Sequence, residues 1–136
     1  MNWREFLFSF KGRVGRASYW GVQAVAIAIF LLTVAFEAST AAVPIAFLLI
    51  GALAWIYVLL AISTKRLHDR DKSAWWLLVF YFLSGMFDAL GEHGYTDMGK
   101  LAFALLSFGF LVWGIVELGF LRGTDVPNRY GDVPTA

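Results

Sequence analysis

The chain has no cysteine. That excludes a disulfide framework, a thiolate nucleophile and any cysteine-ligated metal, and it leaves the compartment open. Histidine is nearly as scarce, with only His68 and His93. A zinc site would have to combine one of them with carboxylates, an unusual closed set, so no metal or other cofactor is expected. The glycines beside Arg13 and Arg16 lack the G-x-x-x-x-G-K-[ST] spacing of a phosphate loop. No RNA- or DNA-binding module is visible either, so nucleic acid is not an expected partner. Charge is the most informative shortage. Charged residues make up 15% of the chain, against about 25% in soluble globular proteins.

What fills the space is apolar. Residues of that type reach 60%, above the usual share of about 45–50%. They gather in four runs, about 19–36, 43–62, 73–90 and 101–121. At 1.5 Å per residue each is near the length needed to cross a hydrocarbon core of about 30 Å. Backbone polar groups inside lipid must be satisfied within one segment, which favours helices. The expected fold is therefore all-α: an integral membrane protein with four transmembrane helices over residues 17–121. Residues 122–136 form a short polar tail. No internal repeat is evident.

Residues 1–16 precede the first run. Trp3, Phe6, Leu7 and Phe10 recur at i, i+3, i+4 and i+7, the spacing of one helical face. Asn2 and Glu5 have the spacing of a capping box. A short amphipathic helix in the membrane interface is expected there, ended by the glycine-containing basic turn Lys11–Arg16. The small residues Ala38–Ala41 resemble a leader cleavage site, but the preceding run is too long for the apolar core of a signal peptide. The third run is the weakest and carries Asp88 near its far end. A re-entrant segment is its alternative.

Basic residues set the expected orientation. Arg4, Lys11, Arg13 and Arg16 precede the first run. Lys65, Arg66, Arg70 and Lys72 lie between the second and third, and Arg122 and Arg129 follow the fourth. Only Lys100 falls on the other side. The positive-inside rule then puts both termini in the cytoplasm. Tyr19 and Trp20, and later Trp75 and Trp76, begin spans where amphipathic rings act as interface anchors.

The charged stretch TKRLHDRDKSAWW (Thr64–Trp76) is expected to be the cytoplasmic hinge between spans two and three. Asp69 and Asp71 can pair with Arg66, Arg70 or Lys72, and Ser73 is placed to cap span three. A His68–Asp69 acid–base dyad is disfavoured because adjacent side chains rarely converge and no nucleophile is placed beside them. No catalytic residue is assigned. Glu117 is the one strongly ionisable group well inside a span, a functional candidate by default. Arg66, Arg13 and Arg122 are its expected partners.

Three blocks resemble one family. FSFKGRVGRASYW (Phe8–Trp20), RLHDRDKSAWW (Arg66–Trp76) and NRYG (Asn128–Gly131) with Pro134 are similar to the ordered signatures of the DUF805 family, small bacterial inner-membrane proteins of unknown function. The resemblance spans nearly the whole chain. Ser18 stands where the family often has an acid, Ala74 where it has glycine, and Asp132 where it has proline. An Ile-Pro step usual in the third span is missing. The resemblance implies no reaction, substrate or cofactor.

The expected function is a non-enzymatic, multi-pass protein of the bacterial inner membrane. Its candidate site is a cytoplasmic polar cluster of Gly12, Arg13 and Arg16, Arg66, His68, Asp69 and Ser73, and Asn128 and Tyr130. That cluster would meet anionic lipid headgroups, a membrane partner or a second copy of the chain. The alternatives are a transporter or channel component using Glu117 and a lipid-modifying enzyme using His68 and Asp69.

Overall fold

All regular elements among the described residues are helical. The structure is a computed structural model that describes residues 3–39, 45–93 and 96–134. The cap expected at Asn2 lies outside these residues. Helix α1 is Trp3–Phe8, α2 is Arg16–Ser39 and α3 is Ile45–Asp69. A π-helical turn, π1 (Leu78–Phe82), leads into α4 (Leu83–Glu92). Helix α5 (Asp97–Ile115) continues into a second π turn, π2 (Val116–Phe120).

Three helical stretches are long and apolar enough to cross a membrane: 16–33, 48–69 and 97–120. Their outward faces are apolar: Leu32, Leu53, Leu105 and Phe108 are each more than half exposed. Such a continuous apolar exterior suits lipid and would be abnormal in water. The helical stretch of the third apolar run, 76–92, which contains π1 and α4, is shorter, about 25 Å by helical rise, and carries Asp88 and Glu92 near its end.

Helix ends follow local chemistry. Thr96 caps α5, its hydroxyl accepting from Gly99 N at 3.3 Å, and Asp97 faces the positive end of the helix dipole. Helix α3 overruns its expected end. The KRLHD stretch, read above as the start of a hinge, forms its final turns, because Lys65–Asp69 contains no residue that breaks a helix. The stop comes at Asp71, in the left-handed region with φ 56°. Lys72 N donates to Leu67 O at 2.9 Å and Asp71 N to His68 O at 3.0 Å. This is the Schellman pattern of bonds, with aspartate where glycine is usual.

Helix α4 packs on α5, where Ser84 Oγ donates to Ser107 O at 3.0 Å and Phe87 stacks on Phe110. Helix α2 packs on α3, and α1 lies against α3. The two pairs meet at π2, which both α2 and α3 touch. Among the described residues the best-buried stretch is Ala61–Leu67, although it holds Ser63, Thr64, Lys65 and Arg66. The packed core, including Val14, Tyr19, Ile62, Leu67, Phe80 and Leu118, therefore sits at the charged end of the bundle. Around midspan the helices mostly face outward.

Candidate functional site

The charged end is built around the carboxyl end of the last helix. Such an end leaves carbonyls without partners and carries partial negative charge. Opening into π2 adds to this: Leu121 N reaches back to Val116 O, five residues away. The exposed carbonyls are then taken by donors from elsewhere. Arg66 Nε donates to Leu118 O at 2.8 Å, and Arg66 Nη2 donates to Leu121 O. Trp20 Nε1 donates to Gly119 O at 3.0 Å, and Arg16 Nη1 to Phe120 O at 3.2 Å. Trp20, expected to anchor in the interface, is thus also a cap on a neighbouring helix. A Cβ at Gly119 would lie 2.5 Å from its ring, so only glycine allows this approach.

Arg66 is wholly buried, and a buried guanidinium needs a counter-charge. Asp69, one turn on, supplies it through Arg66 Nη1. The other carboxylate oxygen accepts from Arg13 Nη2 at 2.9 Å and Nε at 3.1 Å. Asp69 therefore bridges two arginines with buried side chains, Arg66 on its own helix and Arg13, 56 residues away in sequence. Arg13 spends its remaining donors on the tail: Thr124 O at 2.6 Å, Val126 O at 2.9 Å and Gly131 O at 3.2 Å. The tail also bonds to α3 directly, through Thr124 N to Asp69 O at 2.8 Å.

Asn128 does two things at once. Its Oδ1 accepts from Tyr130 N at 2.9 Å, holding the turn, and its Nδ2 donates to His68 O at 2.9 Å. The turn places the Tyr130 ring flat on His68, centroids 3.8 Å apart. His68 Nδ1 lies 3.2 Å from Gly12 O, and Gly12 adopts φ +91°, which favours glycine. His68 and Asp69 thus address different partners. Among the described residues no three His, Asp or Glu side chains are grouped to hold a metal.

Not every candidate joins the cluster. Ser73 does not cap with its side chain; its carbonyl accepts Trp76 N at 3.3 Å. Trp75 is 75% exposed. Trp76 turns inward against Trp113, with Lys72 over its ring. Glu117 is buried, but its partners are not those expected. Arg66 and Arg13 are committed to Asp69 and carbonyls, and Arg122 lies at the surface 3.9 Å from Asp125. Glu117 meets Arg70 Nε at 2.8 Å and Lys72 Nζ at 2.5 Å. Neither Arg70 Nε nor Glu117 Oε1 forms an aligned hydrogen bond, so this is a charge contact more than a directed bond.

Several contributors were not singled out from the sequence. Lys65 donates to Glu5 O at 2.7 Å and Phe6 O at 2.6 Å, fastening α1. Gly123 lets the tail pass Asp69, where a Cβ would fall 1.9 Å from Oδ2. Beneath the cluster the Tyr19 hydroxyl meets Gln23 and Ser63, and Tyr81 reaches the same Ser63. Of these, Tyr19 is expected as an interface anchor and is instead buried in the core; the others have no sequence signal beyond residue type. The tail's run of turn formers, Gly123–Asn128, was the one available hint.

The geometry defines a helical, membrane-type protein with a self-bonded polar cluster at one end of its bundle. Among known proteins, the family described as "Protein of unknown function (DUF805)" matches residues 7–132, and the chain belongs to it. A protein of Escherichia coli (strain K12), "Uncharacterized protein YiiR", is 30% identical over 138 aligned positions, covering 96% of this chain and 89% of that protein. The protein of the same description in Escherichia coli O157:H7 matches equally. No solved structure is significantly similar.

Proposed function

We propose that this chain is a non-enzymatic protein of the bacterial inner membrane that crosses four times, keeps both termini in the cytoplasm and holds anionic lipid headgroups at its charged end. The observation that carries this reading is the Asp69 bridge between Arg13 and Arg66. It gathers the three polar blocks at one end and consumes their buried donors. Headgroup contact then falls to the cations at the rim. Among the described residues the Lys11 ammonium has no partner, and the exposed Arg16 donates a single bond. Each basic residue near an anionic leaflet contributes about 1 kcal/mol.

Two measurements test the reading. Because the chain lacks cysteine, single cysteines at Lys11, Asp97 and Asp125 can be labelled without a background. Labelling of Lys11→Cys and Asp125→Cys from the cytoplasmic side only, and of Asp97→Cys from outside only, is expected. Asp97→Cys and Asp125→Cys labelled from the same side would rule out the four-span arrangement. Lys11→Ala/Arg16→Ala should weaken phosphatidylglycerol binding about 10- to 30-fold, two basic residues' worth, with phosphatidylcholine unaffected. Equal loss for both lipids would refute headgroup recognition.

A further inference from the structure

A large apolar cleft separates much of α2 from α3. Its volume is about 1280 Å³, beyond the 300–1,000 Å³ or so of ordinary small-molecule pockets. Side chains such as Val25, Ile29, Leu48 and Val58 line its walls. Gly21 and Gly51 face open space in it: a Cβ on either would meet nothing within 4 Å. Protein interiors close-pack, so a space of this size between two helices in lipid is filled by something.

Its shape selects the filler. At the charged end the cleft is roofed by α1, whose Trp3, Phe6, Leu7 and Phe8 line it. That roof is fastened by the Lys65 bonds to Glu5 O and Phe6 O and by Tyr57 Oη donating to Phe8 O at 2.9 Å. A helix is about 10–12 Å across with its side chains. A helix of a second copy could not run on through the roof. A flexible chain needs no such passage. The cleft adjoins a second cavity of about 240 Å³, the two sharing Phe6 and Ser18 as walls. Arg13 and Gly15 border this smaller space, and Arg16 follows directly in sequence. The apolar space and the small compartment at the charged end are thus neighbours across Phe6 and Ser18. That pairing of surfaces matches an anionic amphiphile.

We infer that the α2–α3 cleft is an acyl-chain site that retains one anionic phospholipid, its chain beneath α1 and its phosphate beside the Arg13–Arg16 turn. The inference rests on the headgroup reading for the lipid's charge, and on the cleft alone for its chain.

The test uses the full chain in mild detergent, stripped of lipid and titrated with phosphatidylglycerol, phosphatidylcholine or glycerol 3-phosphate under native mass spectrometry. One phosphatidylglycerol per chain is expected, with no adduct from glycerol 3-phosphate. Gly21→Phe/Gly51→Phe, which fills the cleft, should reduce that adduct at least about tenfold. Gly109→Phe, at another open glycine, should leave it intact. Helicity by circular dichroism separates a filled cleft from a misfolded chain, and Gly21→Leu alone provides a milder block with the same expected direction. An adduct that survives filling overturns the proposal. So does a dimer that only the filled variants lose, since the cleft would then be a subunit interface. If filling abolishes binding but Lys11→Ala/Arg16→Ala leaves the preference for phosphatidylglycerol unchanged, the chain site stands and the headgroup reading fails.

Discussion

Replacing Asp69 should release the tail and destabilise the whole charged end. In the wild type the Arg66 side chain is 0% exposed and that of Arg13 is 1% exposed. Asp69→Ala strands both guanidiniums. Removing one partner of a buried ion pair costs about 3–5 kcal/mol, a large part of the 5–15 kcal/mol or so by which folded proteins are stable. The Asp69 carbonyl that holds Thr124 N would remain. The Arg13 side chain, which binds three tail carbonyls, would lose its orientation. Asp69→Asn keeps the shape and one acceptor, so its cost should be smaller, about 1.5–3 kcal/mol for a charge-assisted bond made neutral. Thermal unfolding in detergent should therefore rank wild type above Asp69→Asn above Asp69→Ala. The last should fall by about 10–20 °C, at roughly 3–5 °C per kcal/mol. Trypsin should cut at Arg122 and Arg129 faster in the same order. A double-mutant cycle with Arg13→Ala should return a coupling of about 0.5–3 kcal/mol. An Asp69→Ala protein that melts with the wild type and keeps its tail protected would refute the argument.

Gly123→Ala places a Cβ 1.9 Å from Asp69 Oδ2. It should cost about 1–3 kcal/mol, with faster tail proteolysis as the readout. Gly119→Ala drives a Cβ against the Trp20 ring and should cost a similar amount, about 1–3 kcal/mol, visible as a lowered melting temperature; an unchanged value would deny the cap its importance. Asn128→Ala loses its bonds to His68 O and Thr124 Oγ1. Amide exchange should rise across the tail, at a cost of about 1–3 kcal/mol for the group left unsatisfied. Glu117→Ala leaves Arg70 and Lys72 without their acid, so exchange should increase over residues 70–76 while the tail stays protected. Loosening of the tail instead would show that the two clusters act as one.

Much of the fold was legible because its signals are local. Hydropathy shows the apolar runs, and three of them are helices long enough to cross a membrane. The absence of cysteine is legible at once and excludes a disulfide, a thiolate nucleophile and a cysteine-ligated metal. The three polar blocks gathered at one end because each borders a helix terminus, and helix length determines which termini share an end. The hinge expected over Thr64–Trp76 begins only after KRLHD, which stays helical as the last turns of α3. Charge does not interrupt a helix, and the left-handed Asp71 does.

Partner choice was not legible. Glu117 has several cations within plausible reach in sequence, and only the rotation and depth of packed helices bring it to Arg70 and Lys72. The pairing of Arg13 with Asp69 and the stacking of Tyr130 on His68 join segments dozens of residues apart, where no periodicity carries information. The π turn offers its Leu118, Gly119 and Phe120 carbonyls to donors of α2 and α3, a match between three segments that no local pattern encodes. By itself the sequence determined a helical membrane chain with its charge gathered between the apolar runs, because burial in lipid acts on each segment separately. Tertiary structure alone decided which charges are sealed inside and which face outward, because that depends on where each helix face points once the bundle closes.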